Sequence, residues 1–170
     1  MEQQTTGMTP QDCDVLVIGG GPAGTTIAPL LVEKGYRVVL LEKARHPRFH
    51  VGESLLPANM PLFERMGIAE EVKAIGMEKW GAEFISPQHG MAQTFHFADA
   101  WDKSQPYAYQ VKRAEFDTVL IRNAARKGVA VNEGCKVRSV DFLPDGAGAL
   151  VHARHDDGRE AAWQARFVVD

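Results

Sequence analysis

The first forty residues alternate continuous apolar runs with one stretch of helical period. Residues 14–18 (DVLVI) are apolar after the first and rich in β-branched side chains, the pattern of a strand buried on both faces of a parallel sheet. The run Gly19-Gly20-Gly21-Pro22-Ala23-Gly24 breaks it. Residues 25–34 (TTIAPLLVEK) then space their apolar positions for a helix that closes at Gly35. Residues 37–41 (RVVLL) read as a second buried strand ending on Glu42, which completes a β-α-β unit. Pro29 lies inside the helical stretch, where proline removes a hydrogen bond at a cost of about 3 kcal/mol. The helix is therefore expected either to kink there or to begin late enough to place Pro29 near its first turn.

Further along, residues 58–66 and 69–75 have the look of two short helices punctuated by Gly67 and Gly76. Residues 83–86 and 93–97 alternate over short spans and predict a hairpin or small antiparallel meander. Residues 113–127 (RAEFDTVLIRNAARK) form the clearest amphipathic helix, with Phe116, Leu120 and Ala124 on one face and Gly128 as its stop. Strands are predicted at 129–131, 137–142, 150–153 and 167–169, with turns at Pro144-Asp145-Gly146 and Asp156-Asp157-Gly158 between the later ones. The fold class is α/β: a Rossmann-like parallel sheet beginning β-α-β, with a small antiparallel meander.

Composition narrows the partners. With 170 residues, 45% hydrophobic and 24% charged, the chain has the make-up of one ordinary domain or most of one. The net charge of −3 gathers no block of either sign, which argues against nucleic acid. No apolar run reaches the roughly 18–20 residues that span a bilayer, and the N-terminus lacks a secretory signal, so no membrane partner and a cytoplasmic location are expected. Cys13 and Cys135 show neither metal-ligand spacing nor a disulfide framework, and no metal is expected. Residues 1–11 read as a disordered leader, with an ordered domain over 12–170. The final residues stop as a buried strand delivers Asp170, the picture of a domain left incomplete at its C-terminus, with a substrate domain expected downstream.

The chemistry gathers at the first turn. Gly19, Gly21 and Gly24 match G-x-G-x-x-G directly after a strand and at the opening of a helix. Such a turn admits a pyrophosphate to the backbone, and the helix N-terminus offers free N–H groups and the positive end of its dipole. Glu42, at the end of the second strand, is placed to accept hydrogen bonds from an adenosine ribose. The spacing alone does not separate FAD from NAD.

VLVIGGGPAGTTIA followed by VVLLEK resembles the FAD-binding start of the glutathione-reductase-like flavoproteins. RFHVGESLLP (residues 48–57) is similar to a segment of the flavin-dependent halogenases and their relatives among class A flavin monooxygenases. Tyr109-Gln110-Val111-Lys112-Arg113 before Phe116-Asp117, and the closing Phe167-Val168-Val169-Asp170, resemble further segments of that family. The resemblance implies FAD as cofactor. It also implies that Gly19, Gly21, Pro22, Ala23 and Gly24 cradle the pyrophosphate, that Glu42 holds the ribose, and that Lys43 and Arg48 lie along the adenosine and diphosphate. Val51, Gly52, Glu53 and Ser54 would pass beside the isoalloxazine ring. Arg113 would reach the diphosphate or ribityl chain, Val137 would meet the adenine through its backbone, and Asp170 would end the last strand at the cofactor. Arg113 as a helix salt bridge and Val137 as a plain strand residue remain open beside these roles.

Lys79 is the candidate catalytic residue, since the family carries a lysine in a similar Lys-x-Gly-Ala-x-Phe setting. A lone lysine is otherwise a solvated surface charge. The implied activity is that of an oxidoreductase in which reduced FAD from a separate reductase reacts with O2 to a hydroperoxide that oxidises halide. Lys79 would direct the resulting hypohalous acid to a small or carrier-tethered substrate. Three alternatives stay open: a class A hydroxylase, a reductase of the geranylgeranyl-reductase type, and a cofactor-binding fragment without turnover. His46 and His50 read as loop residues near the cofactor, His89, His96, His152 and His155 as surface or strand residues, and Trp80 and Trp101 as core or cavity aromatics.

Overall fold

The computed structural model describes residues 9–170, so the leader expected over 1–11 lies outside the described residues as far as residue 8. In chain order the elements are β1 (Gln11–Ile18), α1 (Pro22–Val32), β2 (Val38–Glu42), α2 (Met60–Met66), α3 (Ala69–Ile75), β3 (Met77–Lys79), β4 (Gly81–Ser86), β5 (Met91–His96), β6 (Ala108–Gln110), α4 (Arg113–Arg126), β7 (Ala130–Glu133), β8 (Cys135–Phe142), β9 (Ala149–His155) and β10 (Glu160–Val169). The chain divides into two compact units. One runs to Arg48 and resumes at Leu120; the other is Phe49–Val119.

The first unit is built on a six-stranded sheet in the order β7-β2-β1-β10-β9-β8. β7, β2, β1 and β10 run parallel, whereas β10, β9 and β8 pair antiparallel. Val15, Val17, Val38 and Leu40 pack from one face against Ala28 of α1 and Ile121 and Ala124 of α4. Leu16, Val39 and Leu41 pack from the other against Trp163 and Val151. The alternation explains why β1 and β2 read as continuous apolar runs: both faces are covered.

Three expectations change. Strand β1 begins at Gln11, ahead of the apolar run expected from residue 14, because it pairs from Gln11 onward with β10. Helix α1 begins at Pro22, with Gly21 as its N-cap, so Pro29 is interior and buried, and the late-start alternative is set aside. Proline at the first helical position has no N–H to leave unpaired, which is why the helix opens there. The strand expected at 167–169 is ten residues long, because Trp163 and its alanine neighbours bury where a Gln-Ala-Arg stretch obscures the pattern.

The second unit centres on Phe63, Met66, Ile68, Val72, Tyr109 and Phe116. The Phe63 and Phe116 rings meet edge to face at 5.6 Å. The expected hairpin is β4 paired with β5. A ladder of β3 with β6 went unforeseen, since three-residue strands carry no readable period.

Candidate functional site

In the first unit the chain leaves β1 through Gly19, whose N–H donates to the Leu41 carbonyl at 2.8 Å. Its φ of +103° is a backbone state that side-chain-bearing residues avoid, and it aims the following residues at the opening of α1. Gly24 serves closeness instead: a Cβ there would lie 2.1 Å from the Gly19 carbonyl oxygen. On the outer side of the turn, a Cβ on Gly19 would meet nothing within 4 Å, and one on Gly21 only the Arg48 guanidinium at 3.9 Å. The turn therefore has a tight inner wall and an open outer face in front of the N-terminus of an 11-residue helix. That arrangement fits a diphosphate.

Glu42 is buried at the end of β2. Its Oε2 accepts the Gly20 N–H at 2.6 Å, its Oε1 accepts the Ala44 N–H at 2.8 Å, and Arg48 Nη2 stands 3.7 Å from Oε2. One carboxylate thus ties the glycine turn to the loop that carries Lys43 and Arg48. A cavity of about 320 Å³ opens beside it, where Ile18, Glu42, Lys43 and Asp170 leave the parallel strands and Lys136 and Val137 come in from β8. Of the sequence candidates, Gly19, Glu42, Lys43, Val137 and Asp170 share this cavity. Ile18, Leu41, Cys135 and Lys136 also line it and were missed. No local signal marks Cys135 and Lys136, which reach the site only through the sheet order. Burial raises the Cys135 thiol above its ordinary value, against a smaller opposing effect of Arg159.

The loop after Glu42 is held again at the end of β7. Glu133 Oε1 accepts the His46 backbone N–H at 2.7 Å and meets the His46 ring at 2.8 Å. His46 is thus a loop residue, as expected, and its buried ring anchors that loop to the end of β7.

In the second unit, Arg113 grips the buried Asp117 with two hydrogen bonds, Nε to Oδ1 at 2.8 Å and Nη2 to Oδ2 at 3.0 Å. Its Nη1 donates to the Val51 carbonyl at 2.7 Å, and a Cβ on Gly52 would come within 3.2 Å of the same nitrogen. Arg113 makes the helix salt bridge weighed from sequence and also fixes the backbone of the Val51-Gly52-Glu53-Ser54 segment. Lys79, at the end of β3, is half-buried; its ammonium donates to Ser54 Oγ and lies 5.4 Å from the centre of the Phe97 ring. Neither Trp80 nor Trp101 belongs to the core. Trp101 is fully exposed and lines an apolar cavity of about 450 Å³ with Leu56 and Phe97.

Among the described residues no helix is long and apolar enough to cross a membrane, and no group of His, Cys, Asp and Glu is placed to hold a metal.

A parallel sheet with a glycine turn at its first strand and a buried acid at its second defines a dinucleotide-binding protein of the α/β class. Residues 12–170 match the family model described as "FAD binding domain", and the chain belongs to that family; its cofactor is FAD. It is 36% identical to a tryptophan 2-halogenase of Chondromyces crocatus, over 95% of this chain and 30% of the relative. It is 33% identical to a 1H-pyrrole-2-carbonyl-[peptidyl-carrier protein] chlorinase of Pseudomonas fluorescens, over 96% of this chain and 40% of the relative. Among solved structures it is similar to the myxobacterial chondrochloren halogenase CndH, with 41% identity and a TM-score of 0.82 over 95% of this chain and 37% of that one. These are the flavin-dependent halogenases that the sequence resembles, and the chain spans about a third of their length.

Proposed function

We propose that the chain forms the FAD-binding part of a flavin-dependent halogenase and that Lys79 is its catalytic residue. The observation that supports this reading is the setting of Lys79. At the surface of the second unit its ammonium is not left to solvent alone: it is tethered to Ser54 and faced by Phe97. Such an ammonium has N–H donors to offer an oxygen, and fixing it restricts where that oxygen sits.

The cofactor residues divide the work. Gly19, Gly21, Pro22, Ala23 and Gly24 admit the diphosphate to the backbone and the helix N-terminus, while Arg48 faces its charge. Glu42 and Lys43 flank the ribose, Val137 meets the adenine from β8, and Asp170 ends the last strand at the cofactor. Arg113 acts through the Val51 carbonyl, holding the Val51–Ser54 segment in the shape that lies along the flavin. Bound and reduced, FAD supplies the electrons that activate O2, and with them the oxidising equivalent that turns halide into hypohalous acid. Lys79 holds that acid through its oxygen and leaves the halogen facing an electron-rich carbon, which takes the halogen as water departs. The substrate is a small electron-rich molecule, free or tethered to a carrier protein as the name of the Pseudomonas relative describes. A separate reductase supplies the reduced flavin, and the reaction is cytoplasmic.

The test is an assay of the full gene product with FAD, a flavin reductase and O2, with and without chloride or bromide. A halogenated product that needs halide and falls by about 100-fold or more in Lys79→Ala is expected. A hydroxylated product that forms without halide and survives Lys79→Ala would sink the reading.

A further inference from the structure

Strand β6 is paired along both edges. On one edge β3 runs antiparallel, with Met77 opposite Gln110, Glu78 opposite Tyr109 and Lys79 opposite Ala108. On the other, the chain after Gly52 runs antiparallel: Leu55 N–H donates to the Tyr109 carbonyl at 3.0 Å, Val111 N–H to the Glu53 carbonyl at 2.9 Å, and Ser54 lies opposite Gln110. β6 is thus the middle of a three-stranded ladder. Residues directly opposite share a face of a sheet, and successive residues alternate. Ser54, Gln110, Ala108, Met77 and Lys79 therefore lie on one face, while Glu53, Leu55, Tyr109 and Glu78 lie on the other.

Two details of that face matter. The residue opposite Lys79 is alanine, so the lysine stem crosses β6 over a methyl group to reach Ser54, which lies diagonally across, opposite Gln110. And the side chain waiting there is a neutral hydroxyl, because the register turns the carboxylate of Glu53 to the opposite face. A one-residue slip would exchange them. Ser54 takes one of the three N–H donors of the ammonium without cancelling its charge, and the Phe97 ring faces the same group.

We infer that Ser54 is a positioning residue for Lys79, holding the ammonium across β6 so that its remaining donors meet the oxidised halide. The inference rests on the role given to Lys79 above. It also gives RFHVGESLLP a task beyond lining the flavin: its serine is the acceptor that aims the catalytic lysine.

The test compares two substitutions of equal shape, Ser54→Thr and Ser54→Val, which differ only in the hydroxyl. In the full gene product before flavin loading, site-resolved acetylation should label Lys79 several-fold faster in Ser54→Val than in Ser54→Thr, with Lys73 and Lys112 unchanged as internal standards. In the loaded enzyme, Ser54→Val should lower halogenation roughly tenfold or more against Ser54→Thr, and should cost nothing further once Lys79→Ala is present. Equal labelling of Lys79 in the two proteins, or equal halogenation by them, overturns the role of Ser54 and leaves that of Lys79 standing. Halogenation unaffected by Lys79→Ala instead removes the catalytic reading, and the positioning role goes with it; a labelling difference would then report a structural contact alone.

Discussion

The two units solve burial differently. The unit ending at Arg48 and resuming at Leu120 covers both faces of a continuous six-stranded sheet, whereas Phe49–Val119 is assembled from short helices, three-residue ladders and one hairpin. Eleven of the fifteen exposed large hydrophobic side chains among the described residues lie in the second unit, Phe84, Ile85, Met91 and Trp101 among them. Each unit nonetheless buries one carboxylate at its candidate site, Glu42 in the first and Asp117 in the second. Glu42 is met chiefly by backbone N–H groups, Asp117 by a guanidinium. The difference teaches that one site is shaped by the sheet and the other by a salt bridge.

The sharpest way to break the comparison is Asp117→Ala, which leaves the Arg113 guanidinium buried without its carboxylate. It should cost about 3–5 kcal/mol and loosen the Val51–Ser54 segment, seen as a lower urea midpoint and faster proteolysis near Gly52. Gly24→Val comes next. Its Cβ collides with backbone, so a loss of about 3 kcal/mol together with FAD binding is expected, read by thermal unfolding and flavin fluorescence. Glu42→Ala should cost about 2 kcal/mol, because two backbone N–H groups lose their acceptor, and it should weaken FAD more than it weakens the fold. Phe84→Ser, on the exposed hairpin, should change stability by less than about 0.5 kcal/mol.

The smallest effect is electrostatic. The Arg37 backbone N–H, then its guanidinium, holds the Asp14 carboxyl below its ordinary 3.8. A depressed carboxyl stabilises the fold at pH above the ordinary value and loses that contribution as pH falls through the depressed one. Asp14→Asn should therefore lower stability slightly at neutral pH, where the carboxylate contributes, and the two proteins should converge as pH falls below about 4.

Much of the first unit was legible in the sequence, since strands buried on both faces write themselves as apolar runs and glycines mark the turn between them. The β-α-β unit, the end of β2 at Glu42 and the hairpin all follow from period and punctuation. What escaped depends on distant partners. β3 and β6 exist because each supplies the other's hydrogen bonds, and nothing within three residues announces that. Lys136 and Cys135 reach the cavity because β8 ends the antiparallel run attached to β10, some ninety residues beyond Glu42 in the chain. The second unit's aromatics were legible in part: Trp101 lines a cavity, one of its two readings, yet is fully exposed, which composition does not announce.

Strand β10 carries a consequence in time. Trp163, Gln164 and Ala165 are paired on both edges at once, with β1 on one side and β9 on the other. β1 is made first and gains β2 as an early neighbour, but its other edge waits for a strand about 150 residues later. A nascent chain therefore carries an open, apolar strand edge through nearly the whole of this region's synthesis, and the nucleotide turn at the end of β1 is braced on both sides only when β10 arrives.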